Sequence, residues 1–207
     1  MRFFWLLILL ICPGLSAAET FQVVPGQVLH LRLPASGWHA GDEPPEFLVE
    51  ERLATLSDGM LAMMKKSGMT DRRMAVIKML GNNELFVYKT ATGAHMEVDF
   101  SALQPGDAKP TAEHIRGSAE YAGQSLQSEE NYQDARYRVT AVTIPGLNDA
   151  HRLEAAYKRY GQPGKFVGII GFSDPYWVFF YYTDPLSNPD DLSELNAILQ
   201  SLRIEQP

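Results

Sequence analysis

The sequence predicts an α+β protein with a single antiparallel sheet of about seven strands and helices packed on both faces. Two observations in the last third of the chain support this fold. Four strand-like segments follow one another with connections short enough for hairpins, which favours antiparallel pairing. The last of these segments is apolar or aromatic at every position from Tyr176 to Tyr182, as in a central strand that is covered on both sides.

The strands are predicted from runs of alternating or continuous apolar residues between turn residues. The predicted strands are Val23–Leu33, Arg73–Leu80, Glu84–Thr90, Ala94–Phe100, Arg136–Ile144, His151–Tyr160, Phe166–Phe172 and Tyr176–Thr183.

Three helices are predicted from apolar residues that recur with helical spacing. The first covers Glu46–Ser67 and contains Gly59, where a kink or a break is expected. The second follows Thr111 as its N-cap and buries mostly small residues, so it is expected to lie close against its neighbour. The third begins after Asn188 and presents a leucine-rich face up to Leu202.

Residues 1–18 are typical of a cleaved export signal. Arg2 precedes an apolar run from Phe3 to Ile11, and small residues at 16–18 suit a signal peptidase that cuts after Ala18. This run is too short to span a bilayer core of about 30 Å, so we expect no membrane-embedded segment. Residues 19–207 would then form one α+β domain in the periplasm or outside the cell.

The single cysteine, Cys12, lies within the predicted signal. Two interpretations are open: removal with the signal, or lipidation as a new N-terminus. Removal is favoured because Ile11 precedes the cysteine and a better cleavage site follows. The mature chain would then have no thiol, which excludes disulfides, thiol catalysis and cysteine-ligated metals.

The net charge of −7 disfavours nucleic acid as a partner, and loss of Arg2 makes the chain more acidic. The sequence contains no HExxH, no phosphate-binding glycine loop and no dinucleotide-binding fingerprint. Gly171-Phe172-Ser173 lacks the second glycine of a hydrolase nucleophile elbow. No cofactor and no catalytic residue are therefore predicted.

Two passages resemble a known group of proteins. An early strand runs into a proline and a glycine–tryptophan pair (residues 31–38, LRLPASGW), and the C-terminal helix ends in residues 198–204 (ILQSLRI). Together they resemble the α/β/α sandwich of PsbP-like proteins and of bacterial DcrB-like periplasmic lipoproteins. The resemblance implies an accessory or binding protein without a shared catalytic constellation, and a periplasmic protein partner.

The strand 94–100 carries one of two sets of side chains suited to metal chemistry. His95, Glu97 and Asp99 alternate with apolar residues and share one face. An imidazole and two carboxylates would suit zinc or manganese in a metal-dependent hydrolase. The alternative, which we favour, is that these residues form the solvated face of a half-buried strand.

Six methionines lie between residues 60 and 79. Packing in the core is the favoured interpretation, because Met60 and Met63 continue an apolar helical stripe. Copper(I) handling through Met60, Met63 and Met64 is a weaker alternative, since thioethers are soft ligands. An adaptable partner-binding surface is another.

Trp38 and His39 follow the end of a strand in a Gly/Pro-containing loop. They are candidates for a ligand-binding or partner-binding surface, although a tryptophan there more often covers the edge of a core. The sequence as a whole favours an exported, non-enzymatic accessory or binding protein whose ligand and oligomeric state it does not specify.

Overall fold

A computed structural model describes residues 15–66, 68–128 and 132–207. Within these ranges the strands are β1 (Leu15–Val24), β2 (Gln27–Pro34), β3 (Trp38–Gly41), β4 (Leu85–Lys89), β5 (Ala94–Ala102), β6 (Gln133–Val142), β7 (Asn148–Arg159), β8 (Gln162–Ser173), β9 (Tyr176–Asp184) and β10 (Arg203–Glu205). The helices are α1 (Glu46–Ala54), α2 (Asp58–Lys66), α3 (Arg72–Leu80), α4 (Ala112–Ser128) and α5 (Pro189–Ser201).

The main sheet has seven strands in the order β3-β4-β5-β9-β8-β7-β6, and every neighbouring pair is antiparallel. The aromatic strand β9 lies in the middle of this order, as its two apolar faces predicted. The predicted α+β class and seven-stranded antiparallel sheet are confirmed. A second sheet of three strands, β1-β2-β10, was not predicted.

The two faces of the main sheet can be followed along rows of directly paired residues. One row is Val87, Met96, Tyr182, Val167, Glu154 and Arg138. We call this side the α5 face, because its apolar residues pack with α5 and the small sheet in the largest hydrophobic cluster. The opposite row is Phe86, Glu97, Tyr181, Gly168, Leu153 and Val139, and we call this side the α4 face.

The α4 face is covered by two separate groups of helices. Phe86 of β4 packs in one cluster with α1 and α3, which includes Leu48 and Val76. Helix α4 lies over the other end of the sheet, where Ile115 and Ala119 pack against β8. Helices therefore cover both faces, as predicted, and the middle of the α4 face lies between the two groups.

Glycine 123 brings α4 close to β6. A β-carbon at this position would lie 2.4 Å from the ring of Tyr137. The expected close packing of this small-residue helix is thus present, with Ile115, Ala119 and Gly123 as its buried residues.

Two local predictions are wrong. Val23–Leu33 is not one strand, because Pro25 and Gly26, with Gly26 at φ +75°, turn the chain into the β1–β2 hairpin. The segment Arg73–Leu80 is helix α3 rather than a strand. Asp71 caps this helix by accepting a hydrogen bond from the Met74 backbone N–H, and Ala75, Val76 and Leu80 form its buried side.

The long first helix is divided. Helix α1 ends at Ala54 and α2 begins at Asp58, so the interruption precedes Gly59. The Ser57 hydroxyl accepts a hydrogen bond from the Met60 backbone N–H and satisfies a group at the start of α2.

Residues 1–14 lie outside the described ranges, and residues 15–18 belong to β1. Cleavage after Ala18 therefore stays a prediction. No helix of the described ranges is long and apolar enough to cross a membrane.

Candidate functional site

A cleft of about 400 Å³ lies on the α4 face, between the two groups of helices. Its walls come from α1, with Glu51 and Arg52, and from α4, with Ala122, Ser125 and Leu126. Its floor comes from the four adjacent strands β5, β9, β8 and β7. The cleft exists because α1 and α4 cover opposite ends of the sheet and leave its centre uncovered.

The register of β5 and β9 places polar side chains on the floor. His95 is paired with Thr183 and Glu97 with Tyr181, and all four line the cleft. Phe166 of β8 also lines it, and its ring centroid lies 5.8 Å from that of Tyr181. The floor therefore combines aromatic surface with hydrogen-bonding groups, as small-molecule sites commonly do.

His95 is the most unusual residue of the cleft. The residue is 1 % exposed, and its Nδ1 lies 2.9 Å from the carbonyl oxygen of Gly93. Because a carbonyl oxygen only accepts, Nδ1 carries a proton, and in neutral imidazole Nε2 is then an acceptor. Among the described residues, this Nε2 atom has no hydrogen-bond partner.

Glu97 does not provide that partner. Its Oε1 lies 3.8 Å from Nε2 of His95 and accepts a hydrogen bond of 3.0 Å from Arg52. Its Oε2 accepts a second bond, of 2.9 Å, from Asn83. The carboxylate is thus held between α1 and the residues before β4, and the buried Nε2 atom of His95 has no hydrogen-bond partner among the described residues.

A second ion pair closes the other side of the cleft. Arg159 of β7 donates to Glu51 at 3.2 Å, and its guanidinium lies 5.9 Å from the ring centroid of Tyr132. Tyr132 and Tyr157 are edge to face, with centroids 4.7 Å apart. Burial and, to a smaller extent, the neighbouring Tyr132 raise the pKa of Tyr157 to about 12, so this phenol stays protonated at neutral pH.

The charges that line the cleft are balanced. Arg52 pairs with Glu97 and Arg159 pairs with Glu51. The walls thus combine paired charges and aromatic rings with two buried nitrogens that have no partner among the described residues, Nε2 of His95 and Nε of Arg159. This arrangement suits a molecule without net charge that carries a hydroxyl or N–H donor.

The cleft continues into an open groove along β9. Tyr181 and Ala122 line both, and the groove adds Trp177 and Phe179 on the sheet. The ring centroids of Trp177 and Phe179 lie 6.2 Å apart, and those of Phe179 and Tyr181 lie 5.6 Å apart. An apolar strip of three aromatic side chains thus leads to the polar cleft.

The structure places two of the three predicted metal-ligand candidates in the cleft. His95 and Glu97 line it, whereas Asp99 lies further along β5, where its carboxylate accepts a hydrogen bond from Ser101. The predicted solvated face is wrong for His95, because Phe47 of α1 packs edge to face on its ring. Within the three described ranges, no group of three or more His, Cys, Asp or Glu side chains is arranged to hold a metal ion.

Trp38 and His39 lie apart from the cleft, on the edge strand β3. Trp38 is 5 % exposed, packs on the α5 face, and donates from Nε1 to Glu194 at 2.7 Å. His39 is exposed and lies beside Tyr88, with ring centroids 5.8 Å apart. The two side chains belong to opposite faces, so they do not form one surface.

The methionines do not share one buried stripe. Met64 is buried, whereas Met63, Met74 and Met79 are 70 %, 56 % and 43 % exposed. The favoured interpretation of core packing is therefore wrong for these three. Met60, Met63 and Met64 all lie on α2.

Sequence reasoning missed Arg52, Arg159, Tyr132 and Tyr157 as cleft residues. These residues lie far from His95 in the chain, on α1, before β6 and on β7, so no local spacing connects them with it. The one local pattern that could have indicated them is Arg159 at the end of a predicted strand, next to the aromatic residues Tyr157 and Tyr160.

No family model matches the chain, and none of the curated proteins matches its sequence. Solved structures do. The solution structure of cyanobacterial PsbP (CyanoP) from Synechocystis sp. PCC 6803 is similar with a TM-score of 0.52 and 11 % identity, over 92 % of this chain and 94 % of that chain. The crystal structure of LpqN, involved in cell envelope biogenesis of Mycobacterium tuberculosis, gives a TM-score of 0.52 and 14 % identity, over 91 % of each chain. At these identities the likeness concerns the fold alone, and it confirms the resemblance inferred from the sequence: this chain has a PsbP-like fold.

Proposed function

We propose that the protein is an exported, non-enzymatic binding protein that holds a small ligand in the cleft between α1 and α4. The observation that carries this proposal is the unpartnered Nε2 of His95, buried at the floor of a cleft of about 400 Å³. A buried acceptor without a partner costs about 1–3 kcal/mol, which a ligand donor would recover.

The surrounding groups define the kind of ligand. The paired charges of Arg52 with Glu97 and Arg159 with Glu51 favour a molecule without net charge. A hydroxyl or N–H group would donate to His95, and an apolar face would contact Phe166 and Tyr181. The volume is within the usual range of small-molecule sites, about 300–1,000 Å³.

Export is supported by the predicted signal at residues 1–18. LpqN, which has a similar fold, is described as involved in cell envelope biogenesis, and this accords with a role outside the cytoplasm. We therefore place the protein in the periplasm or outside the cell, free of its signal, and expect it to act beside a protein partner there.

Native mass spectrometry tests the ligand. Protein exported by its own host and purified without denaturant is expected to carry an adduct of a few hundred daltons. The His95→Leu variant should lose that adduct, because leucine keeps the packing with Phe47 but has no acceptor. His30→Leu is the matched control, since His30 lies on the small sheet and bonds Thr20 and Glu205.

Two results would contradict the proposal. One is an adduct that persists in His95→Leu. The other is the absence of any adduct, together with no stabilisation of the parent by any neutral small molecule in a thermal-shift screen.

Elemental analysis of the same sample tests the competing hydrolase hypothesis, which requires stoichiometric zinc or manganese that is lost in Glu97→Ala.

A further inference from the structure

The row of paired residues on the α5 face changes from buried and apolar to charged as it crosses the sheet from β4 to β6. Val87, Met96, Tyr182 and Val167 are buried in the largest hydrophobic cluster. The next two partners, Glu154 and Arg138, are charged. On this face Arg136 and Arg138 of β6 and Ala156 of β7 are exposed to solvent.

This open part of the sheet forms a trough of about 440 Å³ beside α5. Three cations line it, Arg136, Arg138 and Lys165, with Glu154 as the acid among its lining residues. Val167 and Leu192 give it an apolar floor and wall. In a chain of net charge −7, this is a local concentration of positive charge.

The charges of the trough are incompletely neutralised. The Glu154 carboxylate accepts a hydrogen bond of 2.6 Å from Arg138 and pairs with Arg152 at 2.9 Å, so one acid serves two guanidinium groups. The Arg138 side chain is 74 % exposed. Guanidinium groups of this kind suit further carboxylates, which they can bind through two hydrogen bonds.

The trough ends at the free edge of the main sheet. β6 pairs with β7 and is last in the strand order, so one edge of this ten-residue strand has no partner strand within the described ranges. An extended peptide can add to such an edge through main-chain hydrogen bonds. Arginines on an edge strand oppose pairing with a second copy of the same strand and favour a strand of opposite charge.

We propose that the basic trough and the edge of β6 form a docking surface for an extended acidic segment of a protein partner. Carboxylates of the segment would meet Arg136 and Arg138 of β6, and Lys165 of β8, two strands further in, would add positive potential to the same trough. The edge of β6 favours a peptide over a lipid surface, because only a peptide supplies matching main-chain groups. This surface lies on the opposite face from the α1–α4 cleft, so the two proposals are independent.

Fluorescence anisotropy tests the proposal with a labelled peptide of alternating Glu and Val residues. The double variant Arg136→Glu/Lys165→Glu should weaken binding at least about tenfold, because charge reversal opposes the carboxylates. Among the described residues, neither side chain forms an ion pair that this change would break. Arg72→Glu/Lys78→Glu is the matched control, since it changes the net charge equally but lies on the exposed side of α3. The control should bind within about twofold of the parent.

Each other outcome overturns the proposal. Equal weakening by both double variants would show that net charge, not this surface, determines binding. Binding to vesicles of phosphatidylglycerol but not to the peptide would assign the trough to a membrane surface. Equal binding of a peptide of alternating Lys and Val, or no binding of the acidic peptide at all, would also exclude the proposed partner.

Discussion

Lys89, which is half-buried, and His95, which is buried, lie on neighbouring strands of the main sheet and differ in their hydrogen bonding. Lys89 of β4 points to the α5 face and donates to Asp191 at 2.9 Å and to Glu194 at 2.8 Å. His95 of β5 points to the α4 face and leaves its Nε2 atom without a partner among the described residues. The first group joins two elements of the fold, whereas the second faces a cleft.

This difference separates a polar group that joins two elements from one that lines a cleft. Asp191 and Glu194 lie on α5, and Trp38 of β3 donates to the same Glu194 carboxylate, so the Lys89 group fixes α5 to the sheet. His95 bonds only to Gly93, two residues before it in the chain. Its unpartnered Nε2 beside the cleft is the atom on which the proposed ligand site rests.

The largest expected effect is the loss of the Lys89 group. Lys89→Ala leaves Asp191, which is 0 % exposed, without its cation and should lower the free energy of unfolding by about 3 kcal/mol or more. Urea unfolding at neutral pH measures this. Lys109→Ala is the control, because the Lys109–Asp174 pair is exposed and should contribute less than about 1 kcal/mol. Equal effects of the two substitutions would remove the contrast drawn above.

The wall of the cleft can be displaced by a single methyl group. Gly123→Ala would place a β-carbon 2.4 Å from the Tyr137 ring, so we expect destabilisation of about 1–3 kcal/mol despite the better helix propensity of alanine. Gly117→Ala in the same helix meets no atom within 4 Å and should stabilise the protein by about 0.5–1 kcal/mol. Thermal or urea unfolding of both variants is the test, and the same sign for both would contradict the close α4–β6 packing.

His95→Leu is expected to change stability little. The variant loses the hydrogen bond from Nδ1 to Gly93 but also removes the unpartnered Nε2 acceptor, so the net change should stay within about 1 kcal/mol. Urea unfolding of ligand-free protein measures it. A loss as large as that of Lys89→Ala would assign His95 to the fold rather than to the cleft.

The smallest expected effect concerns Asp99 and depends on pH. Burial raises the pKa of the Asp99 carboxyl, and the hydrogen bond from Ser101 offsets only part of this rise. The folded state therefore binds this proton more tightly than the unfolded chain does. Ionisation of Asp99 lowers the stability of the fold once the pH rises above the pKa of Asp99 in the unfolded chain. Asp99→Asn should be slightly more stable than the parent at pH 7, and the difference should shrink as the pH falls towards about 4. Unfolding curves at both pH values test the sign, and a difference that grows in acid would contradict it.

The sequence predicted elements well where local pattern and tertiary setting agree. β9 was placed correctly because a strand apolar on both sides must be central, and α5 because Asn188 caps a leucine-rich face. The prediction of a strand at Arg73–Leu80 was wrong because a short apolar run does not distinguish a strand from a helix. In the structure Asp71 caps this segment as helix α3. The small sheet was not predicted because β10 has only three residues and pairs with β2, which lies far from it in the chain.

The candidate site was predicted in part for the same reason. His95 and Glu97 share a face by the two-residue period of a strand, so the sequence could bring them together. Arg52 and Arg159 reach the cleft only because α1 lies over β5 and β7 ends beside it, which no spacing along the chain encodes. The exposure of Met63 likewise depended on where α2 begins.

The sequence by itself determined the α+β class, the central aromatic strand and the placement of His95 and Glu97 on one face. These follow from local chemistry and from the periods of strands and helices. The export signal at residues 1–18 stays a prediction. Only the tertiary structure decided that α1 and α4 leave the middle of the sheet open, that the buried Nε2 of His95 has no partner among the described residues, and that β6 ends the sheet beside a basic trough. These depend on contacts between residues far apart in the chain, which local periodicity does not record.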